Sequence, residues 1–168
     1  MGRWIGVTAV VAVVAVCSAA AALADPGGAG TQTLTQQSRD VLLFSTPGTP
    51  DPCDASNIGT LTAVAKTEVL HITAQADGTF WVTSTAEGTV TFTPDVPGDV
   101  SASGHFATWF GEAVNNKNGV QHDTSTFVLT TTDGSHIVIH MRDQISTNAQ
   151  GVVTVNFSVT NADVSCAA

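Results

Sequence analysis

Basic side chains are scarce in this chain. Only 5 Lys and Arg stand against 14 Asp and Glu in 168 residues, which leaves a formal net charge of −9. Nucleic-acid backbones are bound through clustered Lys and Arg, and so are anionic lipid surfaces. The sequence therefore predicts neither of these partners. A charge of this size predicts a soluble, self-repelling chain.

The short motifs that mark common catalytic and metal sites are missing as well. The chain has no Gly-x-Ser-x-Gly nucleophile turn and no glycine-rich phosphate loop. It also lacks His-x-His, His-Glu-x-x-His and the Asp-x-Asp-x-Asp-Gly run of a calcium loop. From these absences we assign no catalytic residue, no metal ligand and no cofactor.

The first 24 residues have the layout of a secretory signal peptide. Arg3 gives a positive start, residues 5–16 form an apolar run, and Ala22-Leu23-Ala24 is a small-residue cleavage site before Asp25. The apolar run is too short for a stable membrane span. We expect a secreted, extracellular protein. The alternative is a lipid anchor on Cys17. Val16 argues against it, because lipoprotein signals have a small residue before the cysteine.

Cleavage changes the cysteine count. Cys17 leaves with the signal peptide, so Cys53 and Cys166 remain. In an oxidising compartment two cysteines most simply form one disulfide, and the absence of Cys-x-x-Cys argues against a redox pair. The bridge would close a loop worth on the order of 4–5 kcal/mol of stability in the chain-entropy model.

Six runs rich in β-branched and apolar side chains follow one another from residue 61 onward. They cover residues 61–75, 79–93, 100–114, 120–132, 135–147 and 152–163. Turn sequences such as Asp77-Gly78 and Asp133-Gly134 separate them, which is typical of hairpins. A short strand at residues 41–44 precedes them, whereas residues 31–40 show no period. No apolar repeat of 3.6 residues is sustained, so little helix is expected.

Alternation along the second run predicts one curled sheet. One face carries the apolar residues, Phe80, Val82, Ala86, Val90 and Phe92, and the other carries Trp81, Glu87 and threonines. Bends are expected at Gly88, Gly104 and Gly111. We predict an all-β fold, an antiparallel up-and-down meander of six to eight strands closing into a small barrel. A two-sheet β-sandwich is the alternative.

Two cysteine-bearing motifs carry a family resemblance. Asp51-Pro52-Cys53 precedes the meander, and Phe157-x-Val159 leads to Cys166 at its end. Residues 51–166 thereby resemble small exported bacterial all-β proteins with an early Asn-Pro-Cys and a near-terminal cysteine, Asp51 standing in place of Asn. The family has no established activity, so the resemblance implies an exported β domain and supports the Cys53–Cys166 pairing. The expected organisation is a signal peptide (1–24), a flexible lead-in (25–52) and the β domain (53–168).

Aromatic, histidine and arginine residues of the strand runs make up a candidate pocket. It comprises Trp109, Phe110, His105, His140 and Arg142. His136 and His140 share a strand face but are about 13 Å apart, too far to bind one metal ion. An isomerase- or cyclase-type proton transfer would need His140, Arg142 and a carboxylate to converge. The strand-borne carboxylates are Glu68, Glu87, Glu112, Asp123 and Asp143.

Three functions remain open at this point. The leading hypothesis is a non-catalytic binding protein for a small apolar ligand or a partner surface. The second is the barrel isomerase or cyclase, and the third is a structural protein with a cell-envelope partner. A cavity lined by Trp109 and Phe110 favours the first, converging charged groups favour the second, and a solid interior favours the third. The oligomeric state is left open.

Overall fold

The computed structural model describes residues 30–115 and 117–167, which form eight antiparallel β-strands and no helix. The strands are β1 (Gln32–Ser38), β2 (Val41–Pro50), β3 (Ile58–Ala74), β4 (Phe80–Pro94), β5 (Ala102–Val114), β6 (Asn118–Thr131), β7 (His136–Asn148) and β8 (Val153–Ser165). The six predicted runs are confirmed as β3 to β8. The predicted signal peptide, with Cys17, lies outside the described residues.

The β6–β7 hairpin shows why the runs end where they do. Gly134 has a φ of 93°, a left-handed conformation that glycine adopts without steric cost, and its N–H donates to the Thr131 carbonyl at 3.1 Å. The Asp133 carboxylate accepts hydrogen bonds from the Thr131 hydroxyl and from the Ser135 N–H and hydroxyl. These bonds hold the pKa of Asp133 below its usual range. The turn is therefore specified by local side chains.

The predicted alternation along β4 is confirmed. Val82, Ala86 and Val90 are buried, while Trp81 and the intervening threonines are exposed. We call the side of the sheet bearing Val82 and Phe106 the inner face, and the side bearing Trp81 the outer face. The inner face carries the core because the sheet curls around it.

The sheet is a meander with two open edges. Its order is β1-β3-β4-β5-β6-β7-β8, and β2 also pairs with β3. No ladder joins β8 to β1 or β2 among the described residues, so the predicted closure into a barrel is not confirmed. The β1–β2 edge does not offer a continuous ladder, because it breaks at Asp40 (φ 52°) and its pairing with β3 is interrupted by register shifts.

The sheet begins at Gln32 and not at Cys53, which corrects the predicted lead-in. β2 pairs with the first half of β3 and β1 pairs with the second half, so the two strands lie end to end along the same edge of β3. β1 was not predicted from the sequence because an edge strand needs little apolar surface. Leu34 is its one residue packed against a core cluster. Pro47 and Pro50 are tolerated in β2 because an edge strand need not donate every N–H to a ladder.

The sheet curls into a roll, which brings side chains of distant strands into contact. Phe44 of β2 contacts Phe127 of β6 with ring centroids 6.2 Å apart, although β3, β4 and β5 lie between them in the sheet order. Phe106 of β5, buried to 2% exposure, lies 5.9 Å from the Phe127 ring. The predicted disulfide is confirmed: Cys53, after β2, is bonded to Cys166, after β8, with Cα atoms 5.6 Å apart. It ties the two sheet edges together.

Two of the predicted glycine bends are places of close backbone approach. A Cβ at Gly88 would overlap the Val64 carbonyl oxygen, beside the register shift between Ala65 and Thr67. A Cβ at Gly104 would overlap the carbonyl oxygen of Val128. Side chains larger than hydrogen would push adjacent strands apart at these points. The curl of the sheet thus depends on both glycines.

Candidate functional site

The five residues of the predicted pocket do not surround one cavity. Trp109, His105, His140 and Arg142 lie exposed on the outer face, whereas Phe110 is buried on the inner face. Successive residues of a strand point to opposite faces of a sheet. Trp109 and Phe110 therefore cannot line the same cavity.

Three of the five are neighbours on the outer face. Trp109 is paired with Thr124 on β6, and Thr124 is paired with Arg142 on β7. With strands about 4.8 Å apart, this places the Trp109 and Arg142 backbones about 10 Å from each other. His140, two residues from Arg142, has its Nδ1 atom 3.0 Å from the Thr126 hydroxyl. His105, four residues from Trp109, is about 13 Å away along β5.

Trp109 lies flat against the sheet. A Cβ built on Gly111 would meet the six-membered part of its indole, with Cζ2 at 2.7 Å. Gly111 is buried although it belongs to the outer face, because the indole covers it. Trp109 itself remains 40% exposed. Gly111 thus provides the gap that lets a large aromatic ring rest on the strand with one face toward solvent.

The rest of the outer face is polar and nearly uncharged. All five histidines of the chain are on it, which the sequence had left open. Across β4 to β8 its side chains include many threonines, but only three carry a full charge at neutral pH apart from histidine: Glu87, Arg142 and Asp163. The strong acidity of the chain therefore lies elsewhere.

The interior of the roll is filled. A cavity of about 30 Å³ lies between Leu43 and Phe44 of β2 and the inner face of β5 to β7. This is about the volume that one water molecule occupies in the liquid. A wider cleft of about 430 Å³ opens to solvent between the β5–β6 and β7–β8 turns, and its lining includes Glu112, Gln121 and Ile145 but no aromatic side chain. The first space is too small for an apolar ligand, and the second is open to solvent and lined by polar and apolar groups in similar measure.

Two carboxylates face each other on the inner face beside the small cavity. Asp123 and Asp143 are directly paired between β6 and β7. Burial raises the pKa of the Asp123 carboxyl; hydrogen bonds from Ser125 and Thr108 oppose the rise, and the negative charge of Asp143 adds to it. Burial also raises the pKa of Glu112. Asp123, Asp143 and Glu112 were among the carboxylates noted at strand positions in the sequence, but their placement on one face was not predicted.

The groups needed for proton transfer do not converge. Arg142 and His140 are on the outer face, while Asp123, Asp143 and Glu112 are on the inner face. Glu87 shares the outer face, but three strand spacings, about 14 Å, separate its backbone from that of His140. Within residues 30–115 and 117–167 the one ion pair found joins Lys66 to Asp40 at 2.7 Å. The sheet itself thus separates His140 and Arg142 from the carboxylates of the inner face.

Replacing Asp123 by Asn is expected to stabilise the protein at neutral pH. The raised pKa means that the folded state binds this proton more tightly than the unfolded chain, so ionisation above the folded pKa costs stability. That cost disappears as the pH falls through the folded pKa. We expect Asp123→Asn to gain about 0.2–1 kcal/mol at pH 7, the range for directly opposed like charges, and to lose this gain in acid. Urea unfolding at several pH values measures both.

The matched control for this substitution is Asp99→Asn in the exposed β4–β5 turn, which should change stability at pH 7 by no more than about 0.5 kcal/mol. An Asp123→Asn variant that is less stable than the wild type at pH 7 would contradict the prediction. So would a gain that persists unchanged in acid.

The Asp-Pro-Cys motif has a structural role. Asp51 is buried, and its carboxylate accepts the Cys53 N–H at 2.7 Å and the Asn57 side-chain N–H at 3.2 Å. The Asn57 side chain also donates to the Val100 carbonyl at 2.8 Å. Asp51 and Asn57 together shape the loop that presents Cys53 to Cys166. Asn57 was not singled out from the sequence, because no motif marks it.

Comparisons of the chain with protein-family models, with curated proteins and with solved structures find no match. The resemblance drawn from Asp51-Pro52-Cys53 and Cys166 therefore stays an expectation. Among the described residues no group of three or more His, Cys, Asp or Glu side chains is arranged to hold a metal ion. In the same part of the chain there is no helix long and apolar enough to cross a membrane.

Proposed function

We propose that this protein is an exported, non-catalytic binding protein that holds a neutral polysaccharide on its outer face, with Trp109 as the principal contact. The observation that carries the proposal is the indole of Trp109, 40% exposed and seated on Gly111. The proposal also holds that the protein is exported and soluble, and that the disulfide keeps its sheet in a barrel-like roll. The partner is thus a surface and not an enclosed ligand.

An exposed, immobilised indole favours a ligand with a flat apolar face. Aromatic rings contribute large contact areas with specific geometry, and tryptophan loses little side-chain freedom when it is already seated. A pyranose ring presents such a face through its C–H groups. Trp81, 41% exposed, offers a second indole on the same face, about 14 Å from Trp109 between Cα atoms. A chain of sugar units is long enough to contact both.

The charge of the outer face fits an uncharged ligand. One arginine and two carboxylates are dispersed over five strands, so neither a polyanion nor a polycation is matched. Hydroxyl and amide groups surround Trp109, among them Thr85, Thr124 and Gln144. Such groups donate and accept hydrogen bonds without a charge, as sugar hydroxyls require.

The other hypotheses receive less support. A small apolar ligand would need more space than the 30 Å³ interior cavity provides, and the open cleft has no aromatic wall. Proton-transfer catalysis would need groups that lie on opposite faces of the sheet or, for Glu87 and His140, three strand spacings apart on one face. A binding role at the cell envelope is compatible with the proposal, because envelope polysaccharides are ligands of the required chemistry.

Binding to insoluble cellulose, chitin and β-1,3-glucan, which are uncharged, tests the proposal. The chain from Asp25 is expected to sediment with at least one of them, and Trp109→Ala should weaken that binding roughly tenfold, the equivalent of 1.4 kcal/mol. Tryptophan emission offers a second measurement with soluble fragments of the same polymers, because the chain contains no tyrosine. We expect the emission to change when fragments bind.

Two further variants separate contact from fold. Trp81→Ala removes an indole of equal exposure and should cause a smaller loss than Trp109→Ala. Gly111→Ala keeps Trp109 but displaces its ring, and should weaken binding as much as Trp109→Ala does. Failure of the wild type to bind any of the three polymers would refute the proposal. Unchanged binding by Trp109→Ala would refute the assigned site.

A further inference from the structure

Strand β8 is a long free edge. It pairs with β7 on one side, and no strand of the described residues pairs with its other side. Its 13 residues therefore direct a row of backbone N–H and C=O groups outward. An unpaired edge of this length is a template for another strand unless the chain protects it.

The two edges of the sheet differ in protection. The β1–β2 edge is broken at Asp40, contains Pro47 and Pro50, and has register shifts in its pairing with β3. Residues 152–162, in contrast, contain no Lys, Arg, Asp, Glu, Pro or Gly. Charges, prolines and bulges are the usual devices that prevent edge pairing. Between residues 152 and 162, β8 has no charge and no proline, and its one register shift against β7 falls at Thr154, at the end of the segment centred on Phe157.

The order of residues along β8 is nearly palindromic. Residues 154–160 read Thr-Val-Asn-Phe-Ser-Val-Thr, with Phe157 at the centre. Two copies of this segment paired antiparallel about Phe157 would place Phe157 opposite itself, Val155 opposite Val159 and Asn156 opposite Ser158. Apolar residues then meet apolar residues and polar residues meet polar ones, which is the matched cross-strand pairing that stabilises sheets.

Apolar side chains on this edge are exposed in the single chain. Phe157 is 44% exposed and Val155 is 42% exposed, and both lie on the outer face beside Gln144 and Ser146 of β7. Pairing with a second copy would cover part of this surface with the same residues of the partner. A twofold arrangement of this kind uses one patch twice and closes on itself.

We propose that β8 pairs antiparallel with β8 of a second copy of this chain, about a twofold axis at Phe157, and joins the two sheets into one. The net charge of −9 per chain does not oppose this contact locally. Asp163, the acidic residue of the strand, is six residues from Phe157, and the position at the same distance on the other side of Phe157 lies before the start of β8 at Val153, so the two Asp163 side chains do not face each other. The inference stands independently of polysaccharide binding.

Sedimentation velocity over a wide concentration range tests the pairing. The wild-type chain from Asp25 should show a dimer that dissociates on dilution. Phe157→Lys places two ammonium groups opposite each other at the axis, and should be monomeric at concentrations where the wild type is dimeric. Val96→Lys adds the same charge at an exposed apolar position in the β4–β5 turn and should remain dimeric.

Cysteine cross-linking tests the register. Residues directly opposite each other in an antiparallel pair have Cα atoms roughly 4.5–5.5 Å apart, within the range that a disulfide spans. Phe157→Cys should therefore form a covalent dimer on oxidation, whereas Val159→Cys should not, because its partner is Val155.

Three results would overturn the proposal. They are a wild type that is monomeric at every concentration, a Phe157→Lys variant that stays dimeric, and a dimer in which Phe157→Cys does not cross-link. The last result would mean a different interface, including capture of an unrelated strand. Circular dichroism of each variant confirms that the sheet is intact.

Discussion

Removal of the Cys53–Cys166 bridge, by Cys53→Ser together with Cys166→Ser, is expected to lower the free energy of unfolding by on the order of 4–5 kcal/mol. The cysteines are 113 residues apart in sequence, so the bridge constrains nearly the whole sheet in the unfolded state. No ladder of the described residues joins the two edges that it connects. Urea unfolding of the oxidised wild type and the double variant measures the difference.

Both cysteines are replaced because a single remaining thiol can form bridges between chains. A reductant should lower the stability of the wild type to that of the double variant, and should leave the double variant unchanged. A difference below about 1 kcal/mol would show that contacts across the roll, such as Phe44 with Phe127, hold the edges without the bridge.

Phe106→Ala is expected to cost about 3–5 kcal/mol, the usual range for truncating a buried phenylalanine. Phe106 is 2% exposed at the centre of the main core cluster and contacts the Phe127 ring. Its removal would lose buried apolar area and enlarge the 30 Å³ cavity that its side chain lines. The loss is measured as a shift in the urea midpoint at constant slope.

Two further substitutions serve as controls for this prediction. Phe106→Leu keeps more of the buried volume and should cost clearly less than Phe106→Ala. Val96→Ala, at a position 59% exposed in a turn, should change stability by no more than about 0.5 kcal/mol. If Phe106→Ala cost no more than Val96→Ala, the inner face would not be the core of the protein.

Most of the strand assignment was accessible from local patterns. Alternation along β4 and the Asp-Gly pairs at residues 77–78 and 133–134 predicted strands and turns because each depends on residues close in sequence. The disulfide followed from counting the cysteines that would remain after the predicted cleavage of a signal peptide. β1 was missed because an edge strand with a single packed apolar residue, Leu34, leaves no period to detect.

The candidate site was only partly accessible. Trp109, His140 and Arg142, which the sequence suggested as members of one pocket, lie on one face, whereas Phe110, grouped with them, lies on the opposite face. Alternation shows that two residues are on different faces; it does not show which face is solvent. The seat of Trp109 on Gly111 and the pairing of Asp123 with Asp143 required the register between strands.

The amino-acid pattern was sufficient for the all-β class, the six long strands, their turns and the cysteine pair, since these follow from the period of a strand, the conformational needs of tight turns and a count. It was not sufficient for the two open edges, the filled interior or the solvent-facing side of the histidines. Those features depend on how strongly the sheet curls and which strands finish unpaired. Both are set by contacts between residues far apart in the chain, such as Phe44 with Phe127 and Cys53 with Cys166.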